Sequence, residues 1–237
     1  MTDWTIIIEK AILVVSIFGI SLVVAMYSTY GERKIAAFFQ DRVGPNRAGP
    51  FGLLQPLADG GKMFFKEEFI PDKSTKWLFI MGPGIAMLTA CMTSAVIPWG
   101  PDVVLANRTI SLQVANPDIG ILYILGILSL GVFGMMIGGW ASNNKYSLYS
   151  AIRASSQVIS YELAMGLSII AIIMMTGSLS LSDIVASQHG MNWNIFYQPL
   201  GFVIFMTTAL AECNRAPFDM AECETELIGG YHTENSS

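Results

Sequence analysis

The sequence predicts an all-α, polytopic integral membrane protein with about five transmembrane helices, and three observations support this fold class. The chain of 237 residues is 53% hydrophobic and only 13% charged, which is far more apolar than a soluble domain of this length. Its mean hydropathy is +0.52. Its apolar residues also fall in stretches of about 20, the length that a helix needs to cross a hydrocarbon core about 30 Å thick.

The predicted spanning segments differ in how plainly the sequence marks them. The first three contain no charged residue, whereas the fourth contains Glu162 and the fifth contains Pro199. Acids at Asp3 and Glu9 precede the first segment and no A-x-A-like cleavage site follows it, so we expect an anchor rather than a secretory signal. Within a single membrane domain, 1–237, the predicted spans are 11–30, 77–98, 119–141, 154–181 and 191–211.

Basic residues are distributed unevenly among the connecting loops, and this distribution predicts the orientation of the chain. Loops 31–76, 142–153 and 212–237 hold eleven Lys and Arg residues, against two in the N-terminal segment and the loop 99–118. Because cytoplasmic loops carry an excess of Lys and Arg, these three loops are predicted to be cytoplasmic and the N-terminus to lie outside.

The first cytoplasmic loop begins with charges at the membrane surface, followed by a stiff turn region rich in Gly and Pro. From chemistry alone, its basic residues are equally explained as anchors at the lipid headgroups. The next stretch, 51–68, mixes apolar and charged side chains and predicts an amphipathic helix at the membrane interface, interrupted at Pro56 and at Gly60-Gly61.

One acidic residue, Glu162, lies inside the fourth predicted span. A charge at membrane depth costs about 3 kcal/mol, so such a side chain normally faces a protein interior or a water path. We expect Glu162 either to relay protons or to serve as a hydrogen-bonded structural acid. Arg153 precedes it by nine residues. On a helix that spacing is about 180°, so the two side chains cannot pair along one face.

The segment 211–234 contains six acids and one base. Asp219 and Glu222 fit a helix N-cap and capping box, which leaves the other acids unexplained. Glu222 and Glu226 at i,i+4 place like charges on one face, so we expect protons to be shared within the cluster. A solvated acidic surface is the alternative interpretation.

The sequence contains no recognisable site for a metal or a redox cofactor. The three cysteines and two histidines share no metal-ligand spacing. No nucleotide-binding glycine pattern, iron–sulfur cysteine set or nucleophile–base arrangement occurs. We therefore predict no strictly catalytic residue, no metal, no redox centre in this chain and, with a net charge of −5, no nucleic-acid partner.

Three strings resemble the quinone-site membrane subunit of respiratory complex I, NADH:quinone oxidoreductase, which in bacteria is the H-type subunit. They are ERKIAAFFQDRVGPNRAGPFGLLQPLADGGKMFFKEE (32–68), AIRASSQVISYE (151–162) and AECNRAPFDMAECETELIGGYHTE (211–234). The resemblance implies quinone-binding or coupling roles for Glu32, Arg33, Lys34, Arg42, Asp59, Lys62, Arg153, Gln157, Arg215 and Phe218. It implies a proton path that includes Glu162, Glu212, Asp219, Glu222, Glu224, Glu226 and Glu234.

The resemblance also implies a function and a setting. The chain would form part of a tunnel for ubiquinone or menaquinone and the first carboxylate stretch of a proton path, coupling quinone reduction to proton translocation. Flavin and iron–sulfur clusters would belong to peripheral-arm partner subunits, with small membrane subunits, antiporter-like subunits and lipid as further partners. The implied location is the bacterial inner (plasma) membrane, and the mitochondrial inner membrane is the alternative.

Two departures from the family pattern stand at the end of the sequence. Asn235 occupies a position that is Tyr in the family, and the chain ends at Ser237, where the family continues through further spanning helices. We therefore expect a truncated or partial chain.

Two other functions stay open. A homologous subunit of a membrane-bound hydrogenase or formate-linked complex is disfavoured by the RVGPN loop and the acidic segment. A membrane anchor or scaffold without a coupling role is disfavoured by the long first cytoplasmic loop.

Overall fold

The computed structural model of the chain describes residues 3–67, 69–105, 108–215, 217–220 and 230–234. Three predicted proton-path residues, Glu222, Glu224 and Glu226, lie outside the described residues. Between Phe69 and Ile70 the chain divides into two compact units.

Helices dominate the described residues, which confirms the predicted all-α class. Four of them are long and apolar enough to cross a membrane. These are α1 (Asp3–Phe39), α3 (Lys76–Ser94), α4 (Gly120–Ala141) and α5 (Lys145–Thr176). In the part of the chain described here, sheet is limited to one antiparallel pair, β1 (Val103–Leu105) with β2 (Arg108–Ile110).

Two spanning helices extend well beyond the apolar stretches that predicted them. Helix α1 continues to Phe39 rather than ending at residue 30, and α5 begins at Lys145 rather than at residue 154. Hydropathy marks only the part of a helix that lies in hydrocarbon, and charged residues continue a helix without difficulty. The start of α5 is set by Asn144, whose side chain accepts a hydrogen bond from the Tyr146 backbone N–H at 2.9 Å.

The segment predicted as a fifth span, 191–211, does not form one helix. It contains the short α7 (Asn194–Tyr197), which follows α6 (Leu181–Ser187), and then α8 (Pro199–Glu212). Gln198 has φ −134° and ψ 64°, because the residue before a proline is restricted away from helical angles. With 14 residues, α8 is shorter than a perpendicular span requires, so the fifth crossing stays a prediction.

In the first unit, a 3-10 turn at Pro50–Gly52 leads into α2 (Gln55–Phe64). The prediction that Pro56 and Gly60-Gly61 interrupt this helix is wrong. Pro56 lies in its first turn, where a missing N–H removes no intrahelical hydrogen bond, and both glycines lie inside it. Gly52 has φ +82° and no room for a Cβ beside the Pro45 carbonyl.

The second unit is built on close helix contacts. Helices α3 and α4 meet at Gly82 and Gly134: a Cβ on Gly82 would lie 2.9 Å from the Gly138 Cα, and one on Gly134 would lie 2.8 Å from the Gly82 carbonyl oxygen. Helix α5 packs against both α4 and α8. Val132 and Met135 on α4 form a buried cluster with Ala154 and Val158 on α5.

Candidate functional site

Glu162 lies on α5 and is half-buried. One of its carboxylate oxygens, Oε2, accepts a hydrogen bond of 3.1 Å from the Ser129 hydroxyl on α4. The other, Oε1, is shielded from solvent and has no hydrogen-bond partner among the described residues. A buried polar atom normally has a partner, and a water molecule is one group that could provide it.

Glu212 ends α8 and has a similar environment. Its Oε2 is shielded and lacks a hydrogen-bond partner within the described part of the chain, and the carboxylate interacts electrostatically with Glu162. Glu212 also lines a cavity of about 270 Å³. Among the other residues of its wall are Thr89, Ala90, Gly131, Val158, Asn214 and Tyr231.

The two carboxylates together form an arrangement suited to proton exchange. They belong to neighbouring helices, and each has one shielded oxygen that no described residue pairs with. A cavity large enough for several water molecules adjoins one of them. Two like charges in a poorly solvated place repel each other, and acids coupled in this way take up and release protons as a set.

A second group of predicted residues lies along α5 and the segment after α8. Arg153 and Gln157 are four residues apart, as are Gln157 and Tyr161, so the three occupy one face of α5. The Arg153 guanidinium lies over the Tyr149 ring at 5.7 Å. The Phe218 ring packs edge-on against Tyr161 with 5.0 Å between centroids.

The remaining predicted residues after α8 differ in exposure. Arg215 is exposed, and its backbone carbonyl accepts a 2.8 Å hydrogen bond from the Phe218 N–H. Asp219 is half-buried. Glu234 lies in a 3-10 turn, Tyr231–Glu234, and accepts a hydrogen bond of 2.7 Å from the Asn144 side chain at the start of α5.

In the first unit, Arg33 and Asp59 are brought together. The Arg33 Nη1 lies 2.6 Å from the Asp59 Oδ2, and Gln55 Nε2 donates to the other carboxylate oxygen at 2.9 Å. The hydrogen bond from Gln55, with a second from Arg33, lowers the pKa of Asp59 below its ordinary value of 3.8. Both side chains of the ion pair are exposed, at 56% and 41%.

Two further basic residues of this unit contact a backbone carbonyl and a polar side chain. The Lys34 ammonium lies 3.4 Å from the Val43 carbonyl oxygen, and Arg42 Nε donates to the Gln40 side chain at 2.7 Å. Lys62 lies in the last turn of α2, and Glu32 lies near the end of α1.

Sequence reasoning did not single out Ser129 or Tyr161. Ser129 lies in an otherwise apolar span 33 residues before Glu162, and only the packing of α4 on α5 reveals that its hydroxyl serves that carboxylate. Tyr161 had a weak signal, since it adjoins Glu162 and follows Gln157 by one turn.

Comparisons with known proteins identify the family. A family model described as NADH dehydrogenase matches residues 11–237. The chain is 66% identical to H subunit 1 of the NADH-quinone oxidoreductase of Cytophaga hutchinsonii, over 97% of this chain and 67% of that protein. It is 63% identical to the H subunit of the NADH-quinone oxidoreductase of Flavobacterium psychrophilum, over 99% of this chain and 68% of that protein.

A third relative, the corresponding H subunit of Flavobacterium johnsoniae, is 63% identical over 98% of this chain and 66% of its own length. The chain thus spans about two thirds of the length of these relatives. The predicted family is confirmed, and with its four long apolar helices the chain is a membrane protein. It belongs to the NADH dehydrogenase family and is similar to the H subunits of bacterial NADH-quinone oxidoreductases.

Proposed function

We propose that the chain forms part of a quinone-binding tunnel and the first carboxylate stretch of a proton path, coupling quinone reduction to proton translocation. The observation that carries this proposal is the pair Glu162 and Glu212, which interact with each other and each have a shielded carboxylate oxygen without a hydrogen-bond partner among the described residues. The family supports the reaction, since the relatives are named as subunits of an NADH-quinone oxidoreductase.

The carboxylate pair would act by changing its proton content. Leaving a buried polar group without a hydrogen-bonding partner costs about 1–3 kcal/mol, so packing alone gives no reason for unpaired oxygens at two neighbouring positions. Water in the cavity beside Glu212 would link the pair to the segment after α8, where Arg215, Phe218 and Asp219 lie.

The quinone would approach the basic segment of the first unit, where Arg33, Lys34, Arg42 and Lys62 are concentrated with Glu32 and Asp59. Positive side chains stabilise the negative charge that develops on quinone oxygens during reduction. Arg153, Gln157, Arg215 and Phe218 would be the quinone-binding or coupling residues of the second unit. The acids Glu222, Glu224 and Glu226 would extend the proton path.

The setting we propose is the bacterial inner membrane, with the N-terminus outside and the loops 31–76, 142–153 and 212–237 in the cytoplasm. Partners would be the peripheral-arm subunits that carry flavin and iron–sulfur clusters, the small membrane subunits and the antiporter-like subunits. The quinone, ubiquinone or menaquinone, is a substrate rather than a bound cofactor.

The test places Glu162→Gln and Glu212→Gln separately in the full-length gene of the native host. Glutamine keeps the size and removes the exchangeable carboxyl proton, so quinone-coupled proton uptake in membrane vesicles is expected to fall about 10²-fold. Asp102→Asn, at an exposed carboxylate between α3 and β1, is the matched control and is expected to leave uptake unchanged.

Assembly is checked by the amount of NADH oxidation with an artificial electron acceptor that stays bound to washed membranes, since this binding requires the membrane-embedded part whereas the reaction itself does not. Loss of proton uptake with assembly intact would support the proposal. Full proton uptake in both variants would overturn it.

A further inference from the structure

The 3-10 turn Tyr231–Glu234 is fastened to the start of α5 by two hydrogen bonds across a long stretch of sequence. The Ser147 hydroxyl donates to the Tyr231 carbonyl oxygen at 2.8 Å, and Asn144 Nδ2 donates to Glu234 Oε1 at 2.7 Å. The paired residues are 84 and 90 positions apart. Ser147 is fully buried, with 0% exposure, so its hydroxyl has no access to water as an alternative partner.

Asn144 uses both ends of its amide. Its oxygen accepts from the Tyr146 N–H at 2.9 Å and caps α5, while its nitrogen donates to Glu234. Only a side chain with an acceptor and a donor performs both tasks. The Glu234 side chain thus lies at the N-terminus of α5, which is the positive end of the helix dipole.

Tyr231 connects this contact to the Glu212 cavity. It packs against the buried cluster that includes Val132, Met135 and Val158, and it lines the same cavity as Glu212. The position of the turn therefore determines one wall of that cavity. A shift of the turn would move Tyr231 and change how much water reaches Glu212.

We propose that Glu234 is a positioning residue: its carboxylate accepts the Asn144 hydrogen bond and so holds Tyr231 in the wall of the Glu212 cavity. This departs from the expectation that Glu234 carries protons. A positioning role needs only a hydrogen-bond acceptor at 234, whereas proton transfer needs a carboxyl group. The functional consequence of the contact rests on the proposed role of Glu212, but the contact itself does not.

Three variants of the full-length gene in assembled membranes separate the two roles. Glu234→Gln keeps an acceptor for Asn144 and removes the exchangeable proton. Asn144→Asp keeps the cap of α5 but replaces the donor by a carboxylate that repels Glu234. The double variant Asn144→Asp with Glu234→Gln reverses the hydrogen bond, since the glutamine amide then donates to the aspartate.

Quinone-coupled proton uptake is measured first. We expect Glu234→Gln to retain uptake within about twofold, Asn144→Asp to lose roughly tenfold, and the double variant to recover most of that loss. If Asn144→Asp lost uptake only because the chain folds poorly, adding Glu234→Gln would not restore uptake. If Glu234→Gln loses as much uptake as Glu212→Gln, Glu234 carries protons and the proposal is overturned.

The rate of thermal inactivation of NADH-to-quinone electron transfer gives a second measurement, which does not depend on proton transfer. Inactivation is expected to be faster in Asn144→Asp and normal in the double variant. Failure of the double variant to restore either property overturns the positioning role. The two proposals can fail separately. If Glu212→Gln keeps full proton uptake while the double variant Asn144→Asp with Glu234→Gln recovers the properties lost in Asn144→Asp, only the proposed function is rejected.

Discussion

Each of the two units contains a carboxylate site, and the two sites differ in the hydrogen bonds and the charges that surround the carboxylate oxygens. Asp59 in the first unit is exposed, faces the guanidinium of Arg33 and has a hydrogen bond on each oxygen. Glu162 in the second unit is half-buried, interacts with another acid, Glu212, and has one oxygen without a partner among the described residues.

This difference separates a contact that maintains structure from one suited to chemistry. An exposed ion pair contributes at most about 1 kcal/mol to stability, and its charges are already neutralised. An unpaired buried oxygen costs about 1–3 kcal/mol, and a hydrogen bond from a water molecule would remove that cost. The resemblance implied functional roles for all these residues alike, and their hydrogen-bonding environments differ.

The largest effect is expected from the double variant Glu162→Gln with Glu212→Gln. If the two acids act in one path, the double variant loses no more proton uptake than the worse single variant, about 10²-fold. Measurement of uptake in vesicles of all three variants checks this. Losses that multiply would indicate two independent paths.

A smaller effect is expected at the contact between α3 and α4, the two helices that contribute residues to the wall of the Glu212 cavity. Gly82→Ala would force a Cβ against the backbone of α4, and we expect about 1–3 kcal/mol of destabilisation. Gly84→Ala, on the same helix with open space around it, is the control and should be neutral or stabilising. Thermal inactivation of the assembled complex measures both. Equal behaviour of the two variants would contradict the close contact.

Removing the donor to Glu162 is expected to have a more modest effect. Ser129→Ala deletes the hydroxyl that donates to Oε2, and proton uptake should fall roughly five- to tenfold, the equivalent of one typical hydrogen bond of about 1 kcal/mol. Ser129→Thr keeps the hydroxyl and should retain most uptake. Wild-type uptake in the alanine variant would show that Glu162 does not depend on this donor.

The smallest effect is expected at Asp59. Its pKa is lowered by the hydrogen bonds from Gln55 and Arg33, so the stability that it contributes is present above the unfolded value and lost as pH falls through the folded one. Asp59→Asn should cost less than about 1 kcal/mol at neutral pH and flatten the acid side of the stability profile. Thermal inactivation of wild type and variant between neutral and acidic pH tests this. A large loss of quinone reduction at unchanged stability would instead support a direct role in quinone binding.

The four long helices were predictable because an uninterrupted apolar stretch has few other structures available in a membrane. The start of α5 was not predictable from hydropathy, since it depends on the Asn144 cap. The division of the fifth segment at Gln198 and Pro199 was not predicted either. Glu162 was recognisable because a carboxylate in an apolar helix is costly. Its partners Ser129 and Glu212 were not recognisable as partners, since their proximity results from helix packing over long sequence separations.

A proton path through Glu162 and Glu212 can be observed in the infrared difference spectrum of the assembled complex between its resting state and turnover with NADH and quinone. We predict a carboxyl C=O band that changes on turnover, persists in Asp102→Asn, and is lost or shifted in both Glu162→Gln and Glu212→Gln. Identical difference spectra in wild type and in these two variants would contradict a proton path through the pair.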